Sequence, residues 1–345
     1  MPVSPDHQHA NGEIDIASLH AQDSTGLLAR IDRAVVWDIP LTTPFRGITR
    51  RDGVLLHGPG GWGEVAPFWD YGLEASAPWL ASGLCQALGN SLLPRYRETI
   101  SVNVTVPEIS AQDASDLVRA SGARTAKVKV SGSSDKRAAD LERLEAVRSA
   151  LGRSGKVRID VNGAWDLDTA RENLPLMDRA AGGLEYAEQP CATVYDLADL
   201  RRAVDVPIAA DESIRLSANP LEIVHRRAAD VAILKVAPLG GVHRALDMAE
   251  RLGLPAVVSS ALDTSVGIMA GATLAFSLPS LNHACGLGTT HLLTQDVADP
   301  SVRPSNGTLR LDAAAPVSER LLNEVKAGPY LTTHWQTRLL HLAGA

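Results

Sequence analysis

The chain contains 345 residues, more than one β/α barrel of about 250 residues needs, so a second domain is expected. Its formal net charge is −7, its isoelectric point is near 5.8 and it has no basic run, which excludes nucleic acid and anionic membranes as partners. No segment approaches the ~18 consecutive apolar residues of a membrane span, and the N-terminus lacks a signal pattern. We therefore expect a cytoplasmic protein.

The N-terminal quarter of the chain has two parts. Residues 1–26 are polar and aperiodic, and we predict that they form a disordered extension. In residues 27–97, three apolar segments separated by turn residues predict a strand meander, and residues 73–93 have a helical pattern. This second part is predicted to be an α+β domain that precedes the main domain.

Short apolar runs recur through the rest of the chain, beginning near residues 101, 126, 156, 184, 207, 231, 256 and 282. They end at Pro, Gly or polar residues, as strands buried on both faces do. Segments with helical spacing lie between them, for example from Asp135 to Gly152, where Gly152 is predicted to end the helix. Eight strands that alternate with helices predict a barrel over residues 98–300, and residues 301–345 are expected to pack back on the α+β domain.

Five residues suited to chemistry stand at the C-terminal ends of consecutive predicted strands: Lys129, Asp160, Glu188, Asp211 and Lys235. The separations are 31, 28, 23 and 24 residues, about the length of one strand, one helix and two loops. In a parallel β/α barrel these strand ends meet on one rim, where the active sites of such barrels lie. The spacing therefore predicts a single site.

The three acids form an all-oxygen set with no His or Cys beside them, which suits a hard divalent cation. We predict Mg²⁺, with Mn²⁺ as the alternative. Taken one at a time the acids have structural explanations, since Asp160 could cap a helix and Glu188 and Asp211 could pair with neighbouring bases. Three buried acids without a cation would repel one another, which favours the metal.

The two lysines flank the acids in sequence, so closing the barrel places Lys129 and Lys235 on opposite sides of the cation. A lysine acts as a base only when neutral, and both burial and like-charge repulsion from Lys127 lower the proton affinity of Lys129. For a single lysine, a solvated or salt-bridged side chain is the structural alternative. Two lysines around a metal are suited to removing the proton next to a carboxylate, so we expect a small carboxylate substrate.

The motifs around these five residues resemble those of the enolase superfamily, over about residues 27–330. They are Lys127-Val128-Lys129, Asp160-Val161-Asn162, Glu188-Gln189-Pro190, Asp211-Glu212-Ser213 and Lys235. The resemblance implies an α/β fold, a modified TIM barrel of the (β/α)7β type with an N-terminal α+β capping domain. It also implies that the three acids bind Mg²⁺ and that the two lysines are the acid/base pair.

A pair of lysines is typical of the muconate-lactonizing subgroup, within which the chain is most similar to the o-succinylbenzoate synthase family. The less specific supporting features are Arg158 and the segments 43–47, 61–68 and 259–262, whereas Asp263 stands where the superfamily commonly has Glu. The implied reaction is the syn-dehydration of 2-succinyl-6-hydroxy-2,4-cyclohexadiene-1-carboxylate to o-succinylbenzoate in menaquinone biosynthesis, through an enediolate.

Six residues near the predicted rim are candidates for substrate binding: Lys127, Arg158, Asn162, Ser259, Ser260 and Gly286. Structural alternatives exist for three of them, namely a salt bridge for Arg158 and a turn for Asn162 and for Gly286. The capping loops near Phe45, Arg46 and Gly61 are expected to close over the substrate.

Three other functions are consistent with parts of the pattern. An N-acylamino-acid racemase or dipeptide epimerase uses the same rim and needs both lysines to move protons. A non-catalytic metal-binding or scaffold protein has the same fold, but the five intact motifs argue against it. A phosphate-binding barrel isomerase needs a Gly-rich phosphate loop, and no convincing one is present. The sequence does not predict the oligomeric state.

Overall fold

The computed structural model describes residues 12–89, 93–310 and 316–345. The first part of the chain forms helix α1 (Ile16–Gln22), strands β1 (Arg33–Phe45), β2 (Ile48–Gly58) and β3 (Gly61–Val65), and helix α2 (Leu73–Leu88). The three strands form an antiparallel meander. Alternate residues of β1 enter two different apolar clusters, with Val36 on one face and Trp37 on the other, because successive side chains of a strand point to opposite faces.

Residues 12–26 depart from the predicted disordered extension. The Asp15 carboxylate caps α1 by accepting hydrogen bonds from the backbone N–H groups of Ala17 and Ser18, and Ile14 and Leu19 are buried in the core of the capping domain. These few apolar residues are too sparse to produce a periodic signal in the sequence. The surface on which they pack, the core of the capping domain, is formed by distant parts of the chain. The predicted disorder of residues 1–11 lies outside the described residues.

Within the described residues, the main domain is a barrel whose parallel sheet has seven strands. They are β5 (Val104–Val106), β6 (Thr125–Lys129), β7 (Lys156–Asp160), β8 (Leu184–Glu188), β9 (Ile208–Ala210), β10 (Val231–Leu234) and β11 (Ala256–Val258), adjacent in that order. Strand β4 (Thr99–Ser101) ends where the first predicted run begins, and it pairs antiparallel with β12 (Thr308–Arg310).

Helices follow the strands as predicted from the alternating pattern. They are α3 (Ala111–Ser121), α4 (Arg137–Leu151), α5 (Leu167–Ala181), α6 (Val194–Ala203), α7 (Glu212–Arg215), α8 (Glu222–His225), α9 (Val242–Leu252) and α10 (Ser265–Ser277). Several of these helices begin at local capping residues. The side chains of Ser110, Asp166 and Thr193 accept hydrogen bonds from backbone N–H groups at the starts of α3, α5 and α6. The predicted end of α4 at Gly152 is confirmed, since this glycine has a φ of 71°.

The eighth predicted strand is reduced to a few bridging residues. Cys285 forms a parallel bridge with Val102, and Gly286 forms one with Ser259. A side chain at Gly286 would meet Ser259, because a Cβ atom there would lie 2.5 Å from the Ser259 hydroxyl oxygen. These bridges join the two edges of the seven-stranded sheet, so the predicted modified barrel with an N-terminal capping domain is confirmed.

The C-terminal segment runs back to the capping domain through α11 (Glu319–Glu324) and α12 (Pro329–Ala343). From α12, the Arg338 guanidinium donates to the carbonyl oxygens of Pro67 and Phe68 at 3.1 and 2.8 Å and to the Ser76 hydroxyl at 3.1 Å. These contacts hold the loop between β3 and α2 against the body of the protein. No helix within the described ranges is long and apolar enough to cross a membrane.

Candidate active site

The five residues predicted to share a rim lie together at the C-terminal ends of their strands. Lys129 is paired in register with Asp160, and Asp160 with Glu188, on the adjacent strands β6, β7 and β8. Asp211 directly follows β9, and Lys235 directly follows β10. Because β6 and β10 lie on either side of β7, β8 and β9, the two lysines flank the three acids.

One half of this rim is held together by two lysines of a single strand. The Nζ atom of Lys127 lies 2.8 Å from Asp160 Oδ2 and 2.9 Å from Glu188 Oε1. The Nζ atom of Lys129 lies 2.6 Å from the same Asp160 oxygen and 2.5 Å from Asn162 Oδ1. We call these residues, Lys127, Lys129, Asp160, Asn162 and Glu188, the β6–β8 half.

The two lysines of the β6–β8 half differ in their proton affinity. Burial lowers the pKa of Lys129, and the charge of Lys127 lowers it further, against the attraction of Asp160. Burial acts on Lys127 in the same direction, but the charges of Asp160 and Glu188 outweigh it and raise the pKa of Lys127 well above its usual value. Lys129 is therefore the lysine that more readily becomes neutral and so available as a base, whereas Lys127 holds its proton.

The other half of the rim is built around Asp211. Lys235 Nζ lies 2.6 Å from Asp211 Oδ2, and Arg215 Nε donates to Asp211 Oδ1 at 3.0 Å. The same guanidinium donates through Nη2 to Glu212 Oε1 at 2.7 Å and through Nη1 to the hydroxyl oxygen of Tyr71 at 2.6 Å. We call these residues, Asp211, Glu212, Arg215 and Lys235 with Tyr71, the β9–β10 half.

The negative charge of the rim is compensated unevenly. Burial favours the neutral acid at Asp211, but Arg215 and Lys235 outweigh it and lower the pKa of this carboxyl to about 2. At Glu188, burial and the charge of Asp160 act together and raise the pKa to about 7. Glu188 thus stands where additional positive charge would stabilise the carboxylate.

The donor set fits a hard divalent cation by its chemistry, since three carboxylates lie on adjacent strand ends and each is at most 1% exposed. The raised pKa of Glu188 is consistent with a cation at this place. Within the described parts of the chain, no three His, Cys, Asp or Glu side chains are spaced to hold a metal ion. The lysine ammonium groups contact the carboxylate oxygens instead.

A cavity lies above the rim, between the capping domain and the barrel. From the capping domain it is lined by Phe45, Arg46, Phe68, Tyr71 and Trp79. Four of the six candidates for substrate binding also line it, namely Lys127, Asn162, Ser259 and Ser260. The backbone of Asn162 has the φ of 52° of a turn, the structural alternative, and its side chain accepts a hydrogen bond from Lys129 at the cavity.

The structure does not bring Arg158 and Gly286 to the lining of this cavity. Arg158 is fully buried inside the barrel, where Nε contacts Glu185 Oε2 at 2.5 Å and Nη1 donates to the Ala284 carbonyl oxygen at 2.8 Å. The salt-bridge alternative is therefore what the structure contains. The Gly286 carbonyl accepts from the Ser260 hydroxyl at 2.8 Å, so it orients a lining residue.

The capping loops contribute differently from the prediction. Phe45 and Arg46 line the cavity as expected, with the Phe45 ring centroid 5.3 Å from Lys129 Nζ. Gly61 pairs with Gly58 at the turn between β2 and β3 and does not line it. The loop after β3 takes that place and brings Tyr71 over the rim.

Sequence reasoning missed several residues of the site, chiefly Tyr71, Glu212, Arg215, Thr105 and Thr289. One signal was available: Arg215 follows Asp211 by four residues, the separation at which side chains meet on a helical turn. Tyr71 carries no such signal, because it comes from another domain.

Comparison with known proteins gives consistent results for both domains. Residues 36–87 match the family model described as enolase N-terminal domain-like, and residues 110–316 match the one described as enolase C-terminal domain-like. An o-succinylbenzoate synthase from Thermobifida fusca (strain YX) is 52% identical over 305 residues, 87% of this chain and 93% of that protein. Another from Mycobacterium ulcerans (strain Agy99) is 47% identical over 310 residues, 90% of this chain and 93% of that protein.

Solved structures resemble the chain in the same way. The L-Ala-D/L-Glu epimerase from Bacillus subtilis matches with a TM-score of 0.68 and 25% identity, over 84% of this chain and 98% of that chain. The muconate lactonizing enzyme from Pseudomonas putida matches with a TM-score of 0.70 and 21% identity, over 86% of this chain and 99% of that chain, a likeness of fold.

Proposed function

The chain belongs to the enolase superfamily, and from this membership we propose that it catalyses the reaction of an o-succinylbenzoate synthase. The observation that carries the proposal is the pair of partly buried lysines, Lys129 and Lys235, on either side of three buried carboxylates. The identity to o-succinylbenzoate synthases over most of their length supports the choice of substrate. The proposed enzyme is a carbon–oxygen lyase that acts on a small carboxylate, and we expect a cytoplasmic location.

Enzymes of this superfamily use a divalent metal, and we propose Mg²⁺ held by Asp160, Glu188 and Asp211. When bound, the cation supplies positive charge that stabilises the carboxylate of the substrate as it becomes an enediolate. The chain's own contribution is to place three carboxylates within one charged rim.

Lys129 acts as the base in the proposed mechanism. Its neutral amine removes the proton from the substrate carbon next to the ring carboxylate, and the electron pair of the C–H bond moves into the carboxylate. The Lys129 ammonium then donates that proton to the departing hydroxyl group on the neighbouring carbon. The C–O bond breaks, water leaves, the ring becomes aromatic, and Lys129 is neutral again for the next turnover.

The surrounding residues support these two proton transfers. Lys127 lies beside the base as a permanent cation and favours the neutral form of Lys129. Lys235 reaches the cavity from the opposite strand and stabilises the intermediate with its positive charge. Aromatic residues of the capping domain exclude water, while Asn162, Ser259 and Ser260 are proposed to contact the substrate.

The test is turnover of the purified protein with MgCl₂ and 2-succinyl-6-hydroxy-2,4-cyclohexadiene-1-carboxylate, followed by loss of diene absorbance and by NMR of the product. We expect o-succinylbenzoate at an enzyme-like rate and loss of turnover with EDTA and in Lys129→Ala. A folded, metal-loaded protein without turnover would refute the proposal.

A second candidate, an N-acylamino-acid racemase or dipeptide epimerase, is favoured by the symmetry of the lysines. Each contacts a carboxylate oxygen at 2.6 Å, Lys129 at Asp160 and Lys235 at Asp211, so two lysines flank the acids from opposite strands, and a two-base reaction would use both. The variant Lys235→Arg separates the candidates, because arginine keeps the charge but is not a usable base. Dehydration should survive in part, whereas proton exchange of N-succinylamino acids or dipeptides in D₂O should stop.

A further inference from the structure

The Arg215 guanidinium connects the capping domain to one carboxylate of the rim. Its three nitrogen atoms donate to three different side chains, Asp211 at 3.0 Å, Glu212 at 2.7 Å and Tyr71 at 2.6 Å. Its side chain is 5% exposed. A planar guanidinium with three partners has one orientation that satisfies all of them, so moving one partner disturbs the other two.

The position of Arg215 determines what remains available on Asp211. Arg215 occupies Oδ1 of this carboxylate, and Lys235 occupies Oδ2. Arg215 belongs to the one-turn helix α7 that starts directly after Asp211, and its backbone N–H donates to the Asp211 carbonyl oxygen at 3.1 Å. The arginine therefore holds both the backbone and the side chain of Asp211, and it leaves Oδ2 to Lys235, which lines the cavity.

The third partner, Tyr71, belongs to the capping domain, 144 residues away in sequence. Arg338 of α12 fixes the loop that carries Tyr71 by donating to the carbonyl oxygens of Pro67 and Phe68. The Tyr71 ring also packs edge-on against Phe68, with centroids 5.7 Å apart. The hydroxyl group of Tyr71 thus reaches Arg215 only when the capping domain lies over the rim.

We propose that Tyr71 and Arg215 are positioning residues that couple closure of the capping domain to the orientation of the Asp211 carboxylate. The inference rests on the proposed function, because it describes how that site is completed. When the capping domain closes, the Tyr71 hydroxyl receives one arm of the guanidinium, and the remaining arms are then aligned on Asp211 and Glu212. Closure and assembly of the catalytic rim become one event.

A double-mutant cycle with Tyr71→Phe and Arg215→Lys tests the coupling. Tyr71→Phe removes one hydroxyl group and keeps the ring, and Arg215→Lys keeps the charge but cannot reach three partners. Each change should raise KM and lower kcat, so that kcat/KM falls by about tenfold, the value of one hydrogen bond to a charged group. Each should also weaken binding of o-succinylbenzoate, which calorimetry measures. The double variant should be within about twofold of Arg215→Lys alone.

The chain offers a matched control on its surface. Arg226 donates to Glu222 at 2.7 Å and to the Tyr195 hydroxyl at 3.0 Å, with the same chemistry away from the cavity. Tyr195→Phe and Arg226→Lys should leave kcat, KM and product binding unchanged. Thermal melting of all variants identifies any loss of folded protein, which lowers kcat without changing KM.

The outcomes separate the inference from the proposed function. If kcat/KM of the double variant falls by the product of the two single effects, about a hundredfold where each single change gives tenfold, the coupling is overturned. A fall in kcat with KM and product affinity unchanged would also overturn it. If the unaltered protein does not turn over the substrate, the proposed function fails, and calorimetry with the product still tests whether Tyr71 and Arg215 act together in binding.

Discussion

The two halves of the rim keep buried carboxylates charged in different ways. In the β6–β8 half, the cations are Lys127 and Lys129, and both stand on the barrel strand next to the one that carries Asp160. In the β9–β10 half, Arg215 reaches beyond the barrel to Tyr71 of the capping domain. The polar contacts of one half thus lie within the barrel, and those of the other include a residue of another domain.

This difference assigns the two halves separate tasks. The polar partners of Lys129, the proposed base, are Asp160 and Asn162, and both belong to the barrel. In the coupling proposed above, the hydrogen bond between the Arg215 guanidinium and the Tyr71 hydroxyl is the contact that forms when the capping domain closes over a substrate. Four predictions test this division, from the largest expected effect to the smallest.

Replacing the base should have the largest effect. Lys129→Ala should lower kcat by about 10³-fold, because a general base contributes between about 10² and 10⁴ to the rate. The measurement is steady-state dehydration. Lys136→Ala is the matched control, since Lys136 is exposed and forms a surface ion pair with Glu108 at 3.1 Å. Retention of more than a tenth of the activity in Lys129→Ala would place the base elsewhere.

The two halves should also differ in stability. Lys127→Met should lower the free energy of unfolding by about 3 kcal/mol, because it leaves Glu188 buried without the ammonium group it contacts. Arg215→Met should cost less, since Asp211 retains Lys235 and Glu212 is partly exposed. Urea denaturation of both variants in metal-free buffer measures the difference. Equal losses of unfolding free energy in the two variants would contradict the proposed difference between the two halves.

A second contact between the domains should make stability depend on pH. Glu64 of β3 accepts hydrogen bonds from the backbone N–H groups of Thr264 and Gly267 in the barrel, at 3.1 and 2.9 Å. Burial, together with the charge of Asp263, raises the pKa of Glu64 from 4.5 to about 7. The folded state therefore binds the Glu64 proton more tightly than the unfolded state does, and this stabilisation is lost as the pH rises from about 4.5 to about 7.

The variant Glu64→Gln isolates this effect because glutamine does not titrate. Its cost in unfolding free energy should be smaller at pH 8 than at pH 5, by up to about 3 kcal/mol, at about 1.4 kcal/mol per pKa unit. Urea denaturation at both pH values measures this, with Glu74→Gln on the exposed start of α2 as the control. A cost that does not change with pH would show that Glu64 stays charged in the folded protein.

The smallest expected effect concerns the capping contact of the β6–β8 half. The Phe45 ring lies 5.3 Å from Lys129 Nζ, at the distance of a cation–π contact. Phe45→Leu keeps an apolar cover but removes the aromatic face, so we expect kcat/KM to fall by about two- to fivefold. A loss as large as that of Tyr71→Phe would break the comparison, because the capping domain would then act equally on both halves.

Much of the site followed from order along the chain. Asp160, Glu188 and Asp211 were predicted to meet because each stands at the end of a strand, and parallel strands of a barrel deliver those ends to one rim. The lowered pKa of Lys129 was predicted from burial and from Lys127 two residues away, and the structure has the same direction and causes. These inferences use the alternation of side chains along a strand, which is a local property.

Other features depend on partners that are far apart in sequence. Arg158 lies on the same face of β7 as Asp160 but two residues before it, below the cavity. There it contacts the Glu185 carboxylate and the Ala284 carbonyl oxygen. Residues 12–26 looked too polar to fold, yet Ile14 and Leu19 are buried in the capping domain. In each case the residue packs against partners that are distant in sequence, so the local segment alone does not predict the contact.

By itself, the sequence determined the strand order, the rim and the chemistry of its acids and lysines, because repeated strand–helix units carry their own periodicity and place functional residues at equivalent positions. Only the tertiary structure decided which cations serve which carboxylates and how the capping domain engages the site. The contact of Tyr71 with Arg215 spans 144 residues and arises from the packing of two domains, for which local patterns in the chain carry no signal.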